Sequence, residues 1–290
     1  MRVRSRSAFL LGLSLVTLGG VQAQAVLAPP VSVVSAGCGP GNGIYTTKGP
    51  AGAGLQLACD KREAGFSALY GPYDYQALSS VNTGLARGGS VDANAELTMK
   101  GGEPYRTWGA GAGGFVRYTM GVSPLGVAPP QAVSQIPVRF TAMGEASVTN
   151  GDEGSFNVSA WLDNVSFHSQ WEGAGSNSGG FSKTATVVVS AAPGNGYTVL
   201  VSAECSVRTW SGGAGSGRCS AAADPSFSFD QAAFDSTMGA QSFELDRYFR
   251  IDLSPGVTPV PEPSTLILLG LGGLALAARL GQRRRSATRS

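Results

Sequence analysis

Apolar and polar residues alternate with a period of two through most of the middle of this chain. In residues 155–163, Phe156, Val158, Ala160 and Leu162 fall on one side. Ser155, Asn157, Ser159, Trp161 and Asp163 fall on the other. That spacing predicts a β-strand with one buried face. A second run places Tyr197, Val199, Val201, Ala203, Cys205 and Val207 on a common face, with Cys205 pointing inward. Residues 90–99, 114–122 and 183–191 predict further strands, as does the alternation Leu245, Arg247, Phe249, Ile251, Leu253.

Turn chemistry suggests how these strands connect. Asn150-Gly151-Asp152-Glu153-Gly154 predicts a hairpin between residues 141–149 and 155–163. Pro193-Gly194-Asn195-Gly196 predicts another, between 183–191 and 197–208. Residues 109–114 and 173–180 read as flexible glycine-rich loops, and residues 124–130 as a link between two halves with similar strand patterns. Long amphipathic helix patterns are absent. The expectation is an all-β fold: one antiparallel β-sandwich domain, jelly-roll-like, over residues 26–258.

Both ends break the alternation. At the start, Arg2, Arg4 and Arg6 precede an apolar stretch, residues 8–18, and a small-x-small pattern at Ala23-Gln24-Ala25. This is the layout of a secretory signal peptide, residues 1–25, which is set aside in fold reasoning. At the other end, Pro259, Pro261 and Pro263 rule out a helix or a central strand. An uncharged Leu/Gly-rich run, residues 266–278, follows them, and then Arg279, Arg283, Arg284 and Arg285. Ser264 and Thr265 are good N-caps for a helix through that run. A segment over 264–280 is short for a bilayer-spanning helix, and snorkelling of Arg279 helps to close the gap. The arginines would stay on the cytoplasmic side, leaving the bulk of the chain outside.

This tail resembles the PEP-CTERM sorting signal of Gram-negative bacteria. The matching residues are Pro261, Glu262 and Pro263, the Ser264-Thr265 pair, the Leu/Gly-rich span and the basic cluster 279–285. The resemblance implies that an exosortase, a membrane-embedded cysteine transpeptidase, recognises the tail (residues 259–290) and cleaves near the Pro-Glu-Pro box. It implies export, transient anchoring in the inner membrane, then release or transfer to the cell surface or the medium. It also implies an association with exopolysaccharide and biofilm matrix. The segment from Gly196 to the proline box is similar to exported β-rich domains found ahead of such tails. None of this supplies an activity for the domain itself.

Charge and cysteine content change the picture once the two ends are set aside. The whole chain carries a formal +2, but residues 26–258 hold 13 basic and 18 acidic residues. The domain is therefore acidic, which removes the basis for nucleic-acid binding. Cys38, Cys59, Cys205 and Cys219 form an even set in an exported chain and predict disulfides. Three pairings exist. Cys38–Cys59 with Cys205–Cys219 is favoured, each closing a local glycine-rich loop within one end of the domain, and the cross-pairings stay open. With no Cys-x-x-Cys and a single histidine, His168, the cysteines make a poor zinc site. No metal or other cofactor is expected.

No catalytic constellation stands out. His168 with Asp163 and a serine could be drawn as a hydrolase triad, but no Gly-x-Ser-x-Gly elbow accompanies them. Glu145 and Asp163 are carboxylates that a glycosidase could use, yet nothing in their spacing pairs them. A non-enzymatic protein is expected. Trp108, Trp161, Trp171 and Trp210 all fall beside polar or glycine-rich sequence. Exposed indoles on a β-sandwich can stack on sugar faces, which makes Trp161 and Trp171 candidate carbohydrate contacts.

Overall fold

The computed structural model describes residues 27–40, 44–48, 54–85, 88–101, 107–192, 195–209 and 215–258. The expected signal peptide, the sorting tail and Trp210 lie outside these residues. The described chain is an all-antiparallel β-structure with one short helix, α1 (Gln231–Met238). Its strands are β1 (Val31–Pro40), β2 (Ile44–Lys48), β3 (Gln56–Ser67), β4 (Gly71–Gly84), β5 (Ser90–Lys100) and β6 (Trp108–Pro124). They continue with β7 (Gln135–Leu162), β8 (Val165–Ser190), β9 (Tyr197–Thr209), β10 (Gly215–Phe229) and β11 (Phe249–Leu253).

The strands form two layers joined along one side. One layer runs β2-β1-β6-β9, with β11 added to the end of β6; the other runs β3-β4-β5-β10. β7 belongs to both, because its first half pairs with β10 and its second half with β9. β8 follows β7 around this corner along nearly its whole length. The layers pack face to face, β9 on β10, β6 on β5 and β4, and β1 on β4 and β3. The chain crosses between layers repeatedly, after β2, β5, β6, β8, β9 and β10, in the manner of a jelly roll, while β3-β4-β5 is a meander.

The period-two pattern explains what fills the space between the layers. On β5, Val91, Ala93, Ala95, Leu97 and Met99 are buried while Asp92, Asn94 and Lys100 are exposed. Residues of both layers join one apolar core that includes Trp108, Tyr75, Tyr118, Phe140 and Met120. The core also includes small residues, Ala93, Ala95, Ala203, Ala221 and Ala223, which let the layers approach closely. The favoured disulfides both form, Cys38–Cys59 and Cys205–Cys219. Each closes a local loop, across sequence separations of 21 and 14. Each ties a strand of one layer to a strand of the other, β1 to β3 and β9 to β10.

Several local expectations are corrected. Residues 150–154 are not a hairpin turn: 141–149 and 155–163 are parts of the continuous β7, which bends there through two register shifts. Asn150 takes a left-handed φ of 57° in this bend, so the polar cluster acts as a β-bulge that turns a strand between layers. The actual hairpin turn is Asp163-Asn164, with Asp163 at φ 51° and Leu162 opposite Val165. The expected pairing of 183–191 with 197–208 is absent, since β8 pairs with β7 and β9 pairs with β6 and β7.

Residues 109–114 and 173–180 are strand rather than loop. A Cβ on Gly113 would stand 3.0 Å from Glu204 Cγ, so close side-chain packing, not flexibility, explains that glycine. The last expected strand begins only at Phe249. Residues 245–247 form a single 3₁₀ turn, held near α1 by Leu245 N–H donating to Gln231 Oε1 at 3.0 Å.

Candidate functional site

Both ends of the described chain meet at one end of the sandwich, which we call the base. Ser254 Oγ donates to Ala28 O (2.5 Å), and Thr119 N–H donates to Ser254 Oγ (2.9 Å). Thr258 N–H donates to Leu85 O (3.0 Å), and Gly88 N–H donates to Thr258 O (2.8 Å). Tyr118 OH in turn donates to Gly88 O. Burial pushes the Tyr118 phenol well above its ordinary pKa, which keeps it protonated and a donor. The fold thus grips the chain up to Thr258, one residue before the first proline of the tail.

Beyond this clamp the sandwich continues as a ledge. β6 runs on from Met120 to Pro124 paired with β11, and β10 runs on from residue 224 to Phe229 paired with β7. The 125–134 loop and α1 cap the ledge. Leu125 N–H donates to Tyr248 O (2.8 Å), and Gln131 Nε2 donates to Gln241 O (2.8 Å). Asp230 caps the start of α1 through Ala233 N–H and also accepts from Arg139 and Thr186. Thr186, followed by Ala233 and Arg139, holds the Asp230 carboxylate below its usual range. This cluster fastens the helix to β7 and β8.

A second feature crosses the outer face of the β1-β6-β9-β7-β8 layer. Glycines on β1 and β6, including Gly37 and Gly111, leave a shallow floor beside Glu204, Ser206 and Arg208 of β9. This hollow of about 230 Å³ adjoins a second of about 470 Å³ bounded by Asn157, Gln170, Trp171, Glu172 and Glu204. The two share Ser155 and Glu204, so they form one polar trough across the strands. Ser155 and Ser206 hydrogen-bond across it at 2.9 Å. Amides, carboxylates and hydroxyls in a shallow exposed surface suit a hydroxyl-rich ligand. Among the described residues no group of three or more His, Cys, Asp and Glu side chains is placed to hold a metal ion.

The tryptophans are distributed differently from one another. Trp108 is fully buried and packs on Tyr75 with ring centroids 5.1 Å apart. Trp161 is 44 % exposed on the outer face, in a row with Leu200, Arg117 and Val31 that lies toward the base. Trp171 is half-buried and stacks on the core residue Phe156. Trp161 and Trp171 therefore do not form one platform. His168 lies opposite Ser159 on the outer face of the ribbon, and Asp163 is in the turn at its end. Glu145 lies in the part of β7 that joins the other layer, so these candidate catalytic groups do not converge.

The trough residues Asn157, Gln170, Glu204 and Arg208 were not singled out by the sequence. A signal existed in Gly109-Ala110-Gly111-Ala112-Gly113: alternating glycines in a strand strip one face of side chains.

Comparison with known proteins identifies the end of the chain. Residues 259–285 match the PEP-CTERM protein-sorting motif, so this is a PEP-CTERM motif-containing protein. The motif implies an exported protein that is anchored transiently at a membrane and processed by an exosortase. No curated protein matches the chain. Among solved structures, a chain of infectious bursal disease virus, Gx strain, covers 89% of this chain and 75% of its own length. Its identity is 9% and its TM-score 0.12, too slight a likeness to carry an argument. Among the described residues, no helix is long and apolar enough to cross a membrane.

Proposed function

We propose that this chain is a non-enzymatic surface or matrix protein, delivered by its sorting tail and left in association with exopolysaccharide. The observation that carries this reading is the sorting motif joined directly to a disulfide-tied β-sandwich, with Pro259, the first of the tail's prolines, immediately following the clamped Thr258. The tail spans residues 259–290, with its apolar segment over 264–280 and Arg279, Arg283, Arg284 and Arg285 as a basic stop. In this reading the sandwich is the cargo and residues 259–290 are its address. Deleting 259–290 in a host that has the processing enzyme is expected to shift the protein between membrane, surface and medium. An unchanged distribution overturns the proposal.

The polar trough favours a second reading, a binding module for matrix polysaccharide. Glu204, Asn157 and Gln170 would hydrogen-bond sugar hydroxyls, and the exposed indole of Trp161 would stack on a sugar face toward the base. Trp171, half-buried against Phe156, would contribute less. Affinity electrophoresis of the full chain in gels containing host exopolysaccharide tests this. Retardation that is lost in Glu204→Ala and Trp161→Ala, and largely kept in Trp171→Ala, is the expected result. Retardation equal to that of the wild type in both of the first two variants, or none at all, overturns it.

A further inference from the structure

The sorting tail leaves the sandwich on a short tether. From Thr258, which the fold grips, to Leu266, where the apolar run begins, the chain takes eight steps, at most about 28 Å when fully extended. The ledge spends much of that reach. Met120–Pro124 of β6 with β11, and the end of β10 with β7, extend five or six residues past the level of the clamp. At strand rise this is about 17 Å. While the tail is in the bilayer, the ledge therefore stands within about 10 Å of its surface.

The ledge also carries exposed apolar side chains. Val127 is 58 % exposed and Leu125 46 %, in the loop that directly follows β6. Trp161 and Val31 stand in one register row on the outer face just above. A second exposed apolar cluster among the described residues, Phe66, Leu69 and Tyr70, is at the β3–β4 hairpin, at the far end of β4 from the clamp. Fourteen residues of β4 separate the two, about 45 Å, which is more than the tether can span. Of these two clusters among the described residues, the one at the base is within reach of the tether.

We infer that, before processing, the base rests on the bilayer surface that holds the tail, with Leu125 and Val127 in the lipid interface. The domain is then oriented: its base faces the lipid and the Phe66–Tyr70 hairpin points away. Small apolar side chains at an interface add modestly to binding, so the contact lasts only while the tether enforces it. Release of the tail then frees the base. The inference rests on the tail's anchoring role, and the experiment separates the two.

Full-length unprocessed protein is reconstituted in vesicles of phosphatidylethanolamine and phosphatidylglycerol. A benzophenone photo-crosslinker replaces Leu125, Val127 or, as the distal control, Leu69. Flotation with the vesicles reports anchoring independently. Lipid adducts at 125 and 127 several-fold above those at 69 are expected. A flexible 20-residue Gly/Ser spacer inserted after Thr258 is expected to lower them several-fold. Flotation with adducts no higher at 125 and 127 than at 69, or adducts unmoved by the spacer, overturns the inference while leaving anchoring intact. Failure to float overturns the anchoring role and the inference with it.

Discussion

The two long sides of the sandwich are closed by different means. On one side, backbone makes the closure: β7 and β8 run from layer to layer as a single bent ribbon. Behind the bend, Phe140 stacks on Phe167 and Phe227 at 5.3 and 5.4 Å, and Phe167 packs on Phe181. On the other side no strand is shared. β1 and β3 meet through Cys38–Cys59, and Trp108 packs on Tyr75, which stacks on Tyr73. Where the chain itself turns the corner, a continuous hydrogen-bonded ribbon joins the layers, and the Cys205–Cys219 disulfide between the flanking β9 and β10 reinforces it. Where two chain segments merely approach, a covalent tie does the same work.

The largest expected effect lies in the closed side's aromatic cluster. Phe140→Ala removes a fully buried ring with two stacked neighbours and should cost about 3–5 kcal/mol. Denaturant unfolding measures it, and a loss under 1 kcal/mol would show that the ribbon and the Cys205–Cys219 disulfide hold the corner without the ring.

The open side comes next. Replacing Cys38 and Cys59 with alanine removes a link across a sequence separation of 21, for which chain entropy predicts about 3 kcal/mol. The comparison is sharpened by hydrogen exchange. Protection in β1 and β3 should fall while the β7–β8 ribbon keeps its own. Uniform loss in both would mean that the two sides open together.

A smaller effect is expected at the base. Asp230→Ala deletes the α1 cap and should cost about 1–2 kcal/mol. The folded-state pKa of Asp230 is lowered, chiefly by the Thr186 hydrogen bond, so the charged carboxylate stabilises the fold. That contribution is complete above the unfolded carboxylate pKa, about 4, and is lost as pH falls through the lower folded value. Asp230→Asn should therefore flatten the fall in melting temperature below about pH 4; an unchanged pH profile speaks against this role. Smallest of all is the exposed Arg62–Asp74 pair on the β3–β4 hairpin, at 2.7 Å. Solvent screens such pairs, and Arg62→Ala should leave the unfolding midpoint unchanged within error.

Legibility in the sequence varied with the range of the interaction. Facing was readable: the buried set on β9 and the outward Trp161 follow directly from alternation. Connections were not. The cluster at 150–154 has the chemistry of a hairpin turn, and a turn and a bulge draw on the same residues, Asn and Gly with left-handed backbone. Which one forms depends on whether a partner strand lies alongside, and β8 does. The trough escaped notice for a similar reason. Its floor comes from glycines on β1 and β6 and its rim from β7, β8 and β9, segments far apart in the chain.

Taken alone, the sequence determined the address, the all-β class, the inward and outward faces and the favoured cysteine pairs. Each of these depends on residues within a few positions of one another, or on a contiguous motif. The tertiary structure decided that both disulfides bind layer to layer and that β7 belongs to both layers. It also decided that the two ends of the described chain share a base from which the tail departs. Those outcomes depend on which distant strands pair, and strand pairing is set by the packing of the whole core rather than by any local pattern.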